Sequence, residues 1–532
     1  MKTYLQIFCA VITGILVCFS FPTVLFGWHA PSMGIIGYVA LVPLFVAVHK
    51  VLPRKAFVLT FVSALVWYGG SLYWVFRAMH TYGKLPALSS ALITVLLVVV
   101  VSAYIALAPM LTRFIIRNGK GETLLVLPAL WVAMEFCRNY LPCNGFPWSN
   151  VAMSQYQLLT PLQICDITGV YGLIFVIVWI NQFVAEIFLR LKGEHITHLR
   201  SKSVTTAILL IIIIIYGAVR LKTLPESYAA AQAVKVGMIQ GNIDQGEKWD
   251  ESKAIDNLNI HRLSARRLRN APVDLIIWPE AAYPWFFPTQ IASINPLRLG
   301  FSDMEMTRYP YTLMGAVSEE PTGDLHNSAF LFDSHGRFEG EYHKAHLVPF
   351  GEYIPYKKLF FFAKKLTAPV GNFIGGSSYE PLSFGARLVG ILICYEDIFP
   401  EISRKTVAAG AEFLANLTND AWYGVSSAPY QHLALSVFRA VENRRYLVRA
   451  TNSGVSAVIE PSGRIVMQSG IFERAIMVAA IAPLTKLSTY TRLGDWFAWG
   501  CIVYAAFMIA MCFFAGFNKI RSTKSEILNK SQ

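Results

Sequence analysis

Charge is scarce in this chain. Only 15% of its 532 residues are Asp, Glu, Lys or Arg, 55% are hydrophobic, and the mean hydropathy is +0.46. That composition excludes an ordinary soluble globular protein and predicts a chain embedded at least in part in a membrane. Acidic residues are scarcer still: 33 against 46 Lys and Arg leave a net charge of +13. An excess of this size fits nucleic acid as a partner, but its placement along the chain, described below, argues against that. No Gly-rich phosphate loop and no metal-spaced His/Cys cluster stands out, so neither a metal nor any other cofactor is indicated. His343 and His346 lack a partner at ligand spacing and are expected to make structural hydrogen bonds. The cysteines form no framework. Cys9, Cys18, Cys501 and Cys512 fall in apolar stretches and read as packing residues. Cys137, Cys143 and Cys165 fall where a disulfide is chemically permitted, and spacing leaves their pairing open.

What the chain has in abundance is long apolar runs. They lie at about residues 4–26, 33–49, 56–75, 86–112, 123–137, 168–189, 203–219 and 495–517. Most approach the ~20 residues that a helix needs to cross the hydrocarbon core. The count is eight spans, seven before residue 225 and one at the end. The run 33–49 is short and 123–137 carries Glu135, which leaves a re-entrant or tilted segment open for both. The first run follows Lys2, but no small-x-small site succeeds it, and Ile15-Leu16-Val17 ahead of Cys18 lack the small residues of a lipoprotein cleavage site. It is expected to stay as an anchor.

Basic residues set the orientation. With the N-terminus cytoplasmic, the inner loops hold Lys50, Arg54 and Lys55, then Arg113, Arg117 and Lys120, then Arg190, Lys192, Arg200 and Lys202. The tail adds Lys519, Arg521, Lys524 and Lys530. The outer loops hold only Arg77, Lys84 and Arg138, with Arg220 and Lys222 just past the seventh span. Both termini are therefore expected in the cytoplasm, residues 225–490 outside it, and the basic excess is mostly a topology signal. The domains read as 1–224 (bundle), 225–490 (soluble) and 491–532 (last span and basic tail).

Between residues 228 and 485 the pattern changes to short strand-like runs alternating with helical stretches. The strands read as Val234–Ile239, Val273–Trp278, Tyr311–Val317, Ser328–Phe332, Leu388–Ile393, Glu412–Leu417 and Tyr446–Ile459, and the helices include Asp250–Arg269 and Gln431–Asn443. This alternation predicts a layered α/β domain. Three of its strands end in chemistry. Leu388–Ile393 stops at Cys394-Tyr395-Glu396-Asp397, Val273–Trp278 at Pro279-Glu280, and Lys344 follows Phe338-Glu339-Gly340-Glu341-Tyr342-His343. A thiol, a carboxylate and an ammonium at three strand ends supply a nucleophile, a base and a cation, which a mostly protonated thiol needs to react. Cys394 is the only cysteine in this domain, so no internal disulfide can consume it.

Trp278-Pro279-Glu280, the segment from His343 through Lys344 to Glu352, and Cys394-Tyr395-Glu396-Asp397 resemble the Glu-Lys-Cys triad motifs of the carbon–nitrogen hydrolase (nitrilase) superfamily. Gln240-Gly241-Asn242-Ile243, Lys248-Trp249-Asp250, the segment Asn416–Gly424 and Arg449-Ala450-Thr451-Asn452-Ser453-Gly454 are narrower and resemble its apolipoprotein N-acyltransferase branch. The resemblance implies a nitrilase-like αββα sandwich inserted before the last helix of an eight-helix transmembrane bundle. It implies acyl transfer, mainly from phosphatidylethanolamine, to the α-amine of the diacylglyceryl-cysteine of apolipoproteins at a bacterial inner membrane. The implied partners are phospholipid, diacylated apolipoprotein and bilayer. Glu280 would be the proton acceptor, Lys344 the oxyanion stabiliser and Cys394 the nucleophile that forms a thioester. Glu352, Trp249, Asn327, Tyr395, Glu396 and Trp148 match supporting positions, while Arg439 and Glu442 read as structural. Trp249 also reads as a helix-start packing residue, Asn327 as a turn residue, and Trp148 as part of an interfacial aromatic belt. Residues 355–376 read either as a mobile lid or as a surface loop over an aromatic cluster. Two rival functions share parts of this pattern: a membrane-tethered amidase or nitrilase-type hydrolase that delivers the acyl group to water, and a silent transporter-like protein, against which the intact triad counts.

Overall fold

Runs of Val, Ile, Leu and Ala in the first 229 residues satisfy their backbone polar groups internally by forming helices, as a bilayer requires. The computed structural model describes the chain except residues 26, 31–32, 119–123, 230–231, 270, 289–309, 355–372 and 531–532. The bundle helices are α1 (Thr3–Ser20), α2 (Val42–Ala47), α3 (Pro53–Leu72), α4 (Ala87–Arg117), α5 (Val126–Arg138), α6 (Val170–Leu191) and α7 (Leu199–Ala229). Later in the chain come α8 (Ala254–Arg269), α9 (Pro400–Ala408), α10 (Ala428–Asn443) and α11 (Trp496–Lys530).

Among the described residues six helices are long and apolar enough to cross a membrane: α1, α3, α4, α6, α7 and α11. The two doubtful runs of the sequence fold shorter. Residues 33–49 give the apolar segment Gly34–Ala47, and 123–137 give α5, only 13 residues long. Helix α5 is buried along almost its whole length, so neighbouring helices rather than lipid surround it. Its Glu135 forms an ion pair with Arg138, which also donates to the carbonyls of Phe146 at 3.0 Å and Trp148 at 2.7 Å. Lipid-facing side chains are apolar, as on α7, where Ile208, Ile211, Ile212, Ile214, Ile215 and Val219 are exposed.

The two ends of the bundle differ. At one end Lys50 pairs with Glu194 at 2.6 Å, Lys55 reaches Thr3 at 3.4 Å, and Arg113 donates to the Val51 carbonyl at 3.2 Å. The N-terminus, the links α2–α3 and α6–α7, and the C-terminal end of α4 thus gather there. The other end meets the soluble part: Arg77 donates to the Val425 carbonyl at 3.1 Å, Val24 N–H to Ser427 Oγ at 2.8 Å, and Trp148 Nε1 to Gln431 Oε1 at 2.8 Å.

The soluble part contains β1 (Val234–Gln240), β2 (Leu275–Ile277), β3 (Tyr311–Glu319), β4 (Leu325–Phe332), β5 (Phe338–His343), β6 (Leu382–Phe384), β7 (Arg387–Ile393), β8 (Phe413–Thr418), β9 (Leu447–Thr451), β10 (Ala457–Ile459), β11 (Ile465–Gln468) and β12 (Ala475–Ile481). One sheet has the order β12-β1-β2-β3-β4-β5, the other β11-β10-β9-β8-β7-β6. The strand read as Tyr446–Ile459 is in fact two, β9 and β10, paired antiparallel: Asn452-Ser453-Gly454 lies in the bend between them.

Side chains alternate between strand faces, and here both faces are covered. On β7, Val389, Ile391 and Ile393 enter the core between the sheets with Val236, Met238, Leu275 and Ile277, while Leu392 faces the helices. That is why these strands read as continuous apolar runs. Helix α8 covers the first sheet through Leu258, Ala265 and Leu268. Helices α9 and α10 cover the second through Ile402, Val407, Leu433, Val437 and Val441, and the cluster they join continues into the bundle. All of α10 except Tyr430 is buried. The αββα sandwich therefore rests on the bundle through one of its own helix layers.

Candidate active site

Three strand ends converge. After β2 the chain closes with Trp278 N–H on the Leu313 carbonyl at 2.9 Å, then Pro279 and Glu280 turn across β3. Ala281 takes φ +46°, a left-handed backbone that an alanine adopts only under constraint. Gly315 of β3 makes room for this turn: a Cβ there would stand 2.3 Å from the Pro279 carbonyl oxygen. Lys344 follows β5, its N–H on the Asn327 carbonyl at 2.8 Å. Cys394 follows β7 with φ +51° and opens the short turn Cys394–Ile398. A non-glycine residue held there costs on the order of 1 kcal/mol and persists only when surroundings over-determine it. They do so here. Glu396 accepts from Ile393 N–H at 2.7 Å, Ala345 N–H at 2.7 Å, His346 N–H at 3.1 Å and Tyr342 Oη at 2.8 Å. One carboxylate thus ties the turn after Cys394 to the segment after Lys344. Asn416 Nδ2 adds a bond to the Cys394 carbonyl at 3.3 Å.

The side chains form one buried cluster. Asn327 Nδ2 donates to Glu280 Oε1 at 2.7 Å and to Glu352 Oε1 at 2.8 Å. Lys344 Nζ lies 2.9 Å from Glu352 Oε1 and 3.7 Å from Glu280 Oε1, with only 1% of the residue exposed. Glu352 is fixed in turn by Val348 N–H at 2.8 Å. Asn327 lies within β4 rather than in a turn ahead of it, because the strand starts at Leu325.

Burial lowers the pKa of Lys344, but Glu352 and Glu280 outweigh it and hold the ammonium well above its ordinary range. Burial, then Glu280, push the Cys394 thiol well up, against Lys344 and the Asn419 backbone N–H, which pull it down. The resting thiol is therefore protonated and reacts only with a base in reach. Burial pushes Glu396 up to about 7 against its backbone donors.

The other expected residues are dispersed. Tyr395 is buried, its hydroxyl on the Gly145 carbonyl at 3.4 Å and its ring near Phe146 and Phe399. Trp148 is 0% exposed, bonded to Gln431 and packed near Trp74, Tyr423 and His432, so it sits in the joint between bundle and sandwich and not in an interfacial belt. Trp249 is 46% exposed and is no packing residue at a helix start. Arg439 pairs with Glu442 at 2.7 Å and donates to the Ile398 carbonyl at 3.0 Å, while Glu442 accepts from Val170 N–H at 2.9 Å. His343 Nδ1 bonds Ser328 Oγ at 2.7 Å. His346 Nε2 is buried without a partner among the described residues. No group of three or more His, Cys, Asp or Glu among the described residues is placed to hold a metal. All eight cysteines are free thiols. Of the segment 355–376, residues 355–372 lie outside the described residues, as does Lys120.

Two features escaped sequence reasoning. Lys248, quoted only as part of a motif, is buried with its Nζ on the Glu280 carbonyl at 2.9 Å. Behind Cys394 lies an ionic network. His432 Nε2 meets Asp397 Oδ1 at 2.7 Å and its Nδ1 meets Asp420 Oδ1 at 2.9 Å, while Arg449 meets Asp397 Oδ2 at 2.7 Å and Asp420 Oδ2 at 2.9 Å. Burial alone would raise both Asp pKa values, but His432 and Arg449 outweigh it and lower them. Burial and Arg449 would lower His432, but Asp397 and Asp420 outweigh them and raise it.

A sandwich of two mixed sheets between helix layers, with Glu, Lys and Cys at converging strand ends, defines a carbon–nitrogen hydrolase, and residues 235–487 match the Carbon-nitrogen hydrolase family. Residues 13–183 match the apolipoprotein N-acyltransferase N-terminal domain. An apolipoprotein N-acyltransferase of Geobacter metallireducens is 40% identical over 512 residues, covering 95% of this chain and 94% of that one. One of Methylococcus capsulatus is 32% identical, covering 87% of this chain and 88% of that one. One of Haemophilus influenzae is 30% identical, covering 93% and 92%. The chain belongs to the apolipoprotein N-acyltransferase family.

Proposed function

We propose that this enzyme takes an acyl chain from a membrane phospholipid, mainly phosphatidylethanolamine, onto Cys394 and passes it to the α-amine of the diacylglyceryl-cysteine of an apolipoprotein. It is an acyltransferase of lipoprotein maturation. The observation that carries the mechanism is the cluster Glu280–Asn327–Glu352–Lys344 beside Cys394, at three strand ends of a sandwich that rests on a membrane bundle.

Glu280 takes the Cys394 proton and the sulfur attacks the ester carbonyl. Lys344, with a backbone N–H near Tyr395, stabilises the tetrahedral oxyanion, a preorganised charge of the kind that usually dominates catalysis. The C–O bond breaks, Glu280 returns its proton to the leaving alkoxide, and lysophospholipid departs. The acceptor amine then attacks the thioester and Glu280 takes its proton. The C–S bond breaks and the thiol is restored, a ping-pong course. Glu352 and Asn327 hold Lys344 and Glu280, Glu396 holds the Cys394 turn, Tyr395 and Trp148 position that turn against the bundle, and Trp249 stands free for substrate.

The proposed architecture is a bundle over 1–224, a catalytic domain over 225–490 inserted before the last helix, and a final span with a basic tail over 491–532. This reading counts eight crossings: the six long apolar helices and two shorter segments. The two shorter segments would be residues 34–50 and α5, and the burial of α5 among neighbouring helices would spare it a full lipid-facing length. Lys50 and Lys192, with Arg54 at the start of α3, gather at the end away from the sandwich, and this basic bias supports a reading with that end and both termini cytoplasmic and the active centre on the periplasmic side of the inner membrane.

The test is intact-mass spectrometry of the purified protein after incubation with phosphatidylethanolamine and no acceptor. We expect a gain of one acyl chain, labile to hydroxylamine, lost in Cys394→Ala and strongly reduced in Glu280→Gln. A diacylglyceryl-cysteine peptide should discharge it. Free fatty acid without an adduct would overturn the transferase in favour of a hydrolase.

A further inference from the structure

The proposed mechanism uses one lysine, yet two are buried at the site. Lys248 lies between β1 and α8, is 5% exposed, and donates to the backbone carbonyl of Glu280 at 2.9 Å. No carboxylate among the described residues lies within ion-pair distance of it, so its charge is not spent on a salt bridge. Its neighbour His261, on α8, contributes no charge: burial lowers that imidazole to about 4, and it stacks on Trp278 with centroids 5.2 Å apart. The groups that act on Lys248 electrostatically are Glu280 and Cys394.

Lys344, by contrast, is already paired with Glu352 at 2.9 Å and approaches Glu280 at 3.7 Å. Two carboxylates and one ammonium leave the cluster with one net negative charge, and proton transfer from Cys394 to Glu280 keeps that total while placing the charge on a buried sulfur. Like charges crowded in a buried site oppose ionisation. A protonated Lys248 brings the resting cluster to neutrality. A buried ammonium also needs its donors satisfied, and the Glu280 carbonyl that satisfies Lys248 belongs to the residue proposed as base.

We propose that Lys248 is a positioning residue of the acyl transfer, one that orients Glu280 through its main chain and offsets the negative charge of the cluster so that the Cys394 thiolate can form. This rests on the reading of Glu280 and Cys394 given above. Burial lowers Lys248 to about 8 against the pull of Glu280 and Cys394, so it loses its proton within a measurable range.

The full-length wild type, Lys248→Met and Lys248→Arg are compared in two assays. The first is the alkylation rate of Cys394 by iodoacetamide, followed on its tryptic peptide, which reports thiolate independently of any lipid. The second is single-turnover acylation from phosphatidylethanolamine between about pH 6 and 9.5. At about pH 7, Lys248→Met is expected to slow both by roughly tenfold or more, equivalent to one unit of thiol pKa, and Lys248→Arg to recover most of that loss. Wild-type acylation should decline above about pH 8 and the Arg variant should not, since arginine keeps its charge. Wild-type alkylation in the Met variant, or an unchanged alkaline decline in the Arg variant, overturns the proposal. If Lys248→Met melts early, the pH comparison of wild type with Lys248→Arg decides alone. If no form is acylated by lipid while alkylation still depends on Lys248, the acyl-transfer reading fails and the role of Lys248 in thiolate formation stands.

Discussion

Asn327 spends both N–H groups of one amide on two carboxylates, Glu280 at 2.7 Å and Glu352 at 2.8 Å. Without that amide Glu280 loses the donor that fixes its carboxylate, and a general base works only when held within reach of the proton it takes. Asn327→Ala is therefore expected to lower the rate of Cys394 acylation by about 10²-fold, the usual scale of general-base catalysis. Lipid-saturated single-turnover kinetics checks this, run below the melting temperature of the variant, which loses two buried hydrogen bonds to carboxylates. A variant acylated at the wild-type rate would remove Asn327 from the machinery. The residue was visible in the sequence as a family position, but its double bond was not, since Glu280 and Glu352 stand 47 and 25 residues away.

Helix α10 carries the His432 side of the buried ionic network and β9 the Arg449 side. Asp397 and Asp420 have folded pKa values below their unfolded ones, so their stabilisation is present above the usual carboxylate range and is lost as pH falls through the depressed values. His432 is raised in the fold, so its share is complete below its unfolded value and is lost as pH rises through the raised one. Thermal melting in detergent should thus plateau between about pH 4 and 6.5 and fall on either side. Asp420→Asn leaves Arg449 and His432 a carboxylate short and should cost about 3–5 kcal/mol, read as a lowered melting temperature with a shallower acid limb. Strands such as β1, β7 and β8 were legible because apolar side chains fill both of their faces. Strand β12 was not, because at the edge of its sheet Ala475–Ile481 is only partly buried. The network was illegible for another reason. Residues 397, 420, 432 and 449 follow no helical or strand period, and only tertiary packing brings them together.

On the scale of the whole molecule, the bundle and the sandwich are joined by buried polar bonds. Arg444 reaches Asp166 at 2.8 Å and donates to Gln163 Oε1 at 2.7 Å, while Gln431 accepts from both Trp148 and Trp74. The proposed topology makes a direct prediction. A cysteine placed at Thr322, in the exposed turn between β3 and β4, should react with a membrane-impermeant maleimide in intact spheroplasts. One placed at Lys192, in the loop after α6, should react only after permeabilisation. Labelling of both from the same side would sink the arrangement.

The polar side chains of α10 also bear on how the chain is made. In the proposed topology, residues 428–443 are threaded through the secretion channel unfolded. This stretch is apolar enough to be buried nearly all round, and a secretion channel releases such segments sideways into lipid. Gln431, His432, Arg439 and Glu442 resist that release, since one charged residue near the middle of a helix costs about 2.5–3.5 kcal/mol on insertion. Two of these side chains, His432 and Arg439, also hold the turn after Cys394 in the finished enzyme, so the same groups that fix the site would keep its innermost helix from being mistaken for one more membrane crossing during export.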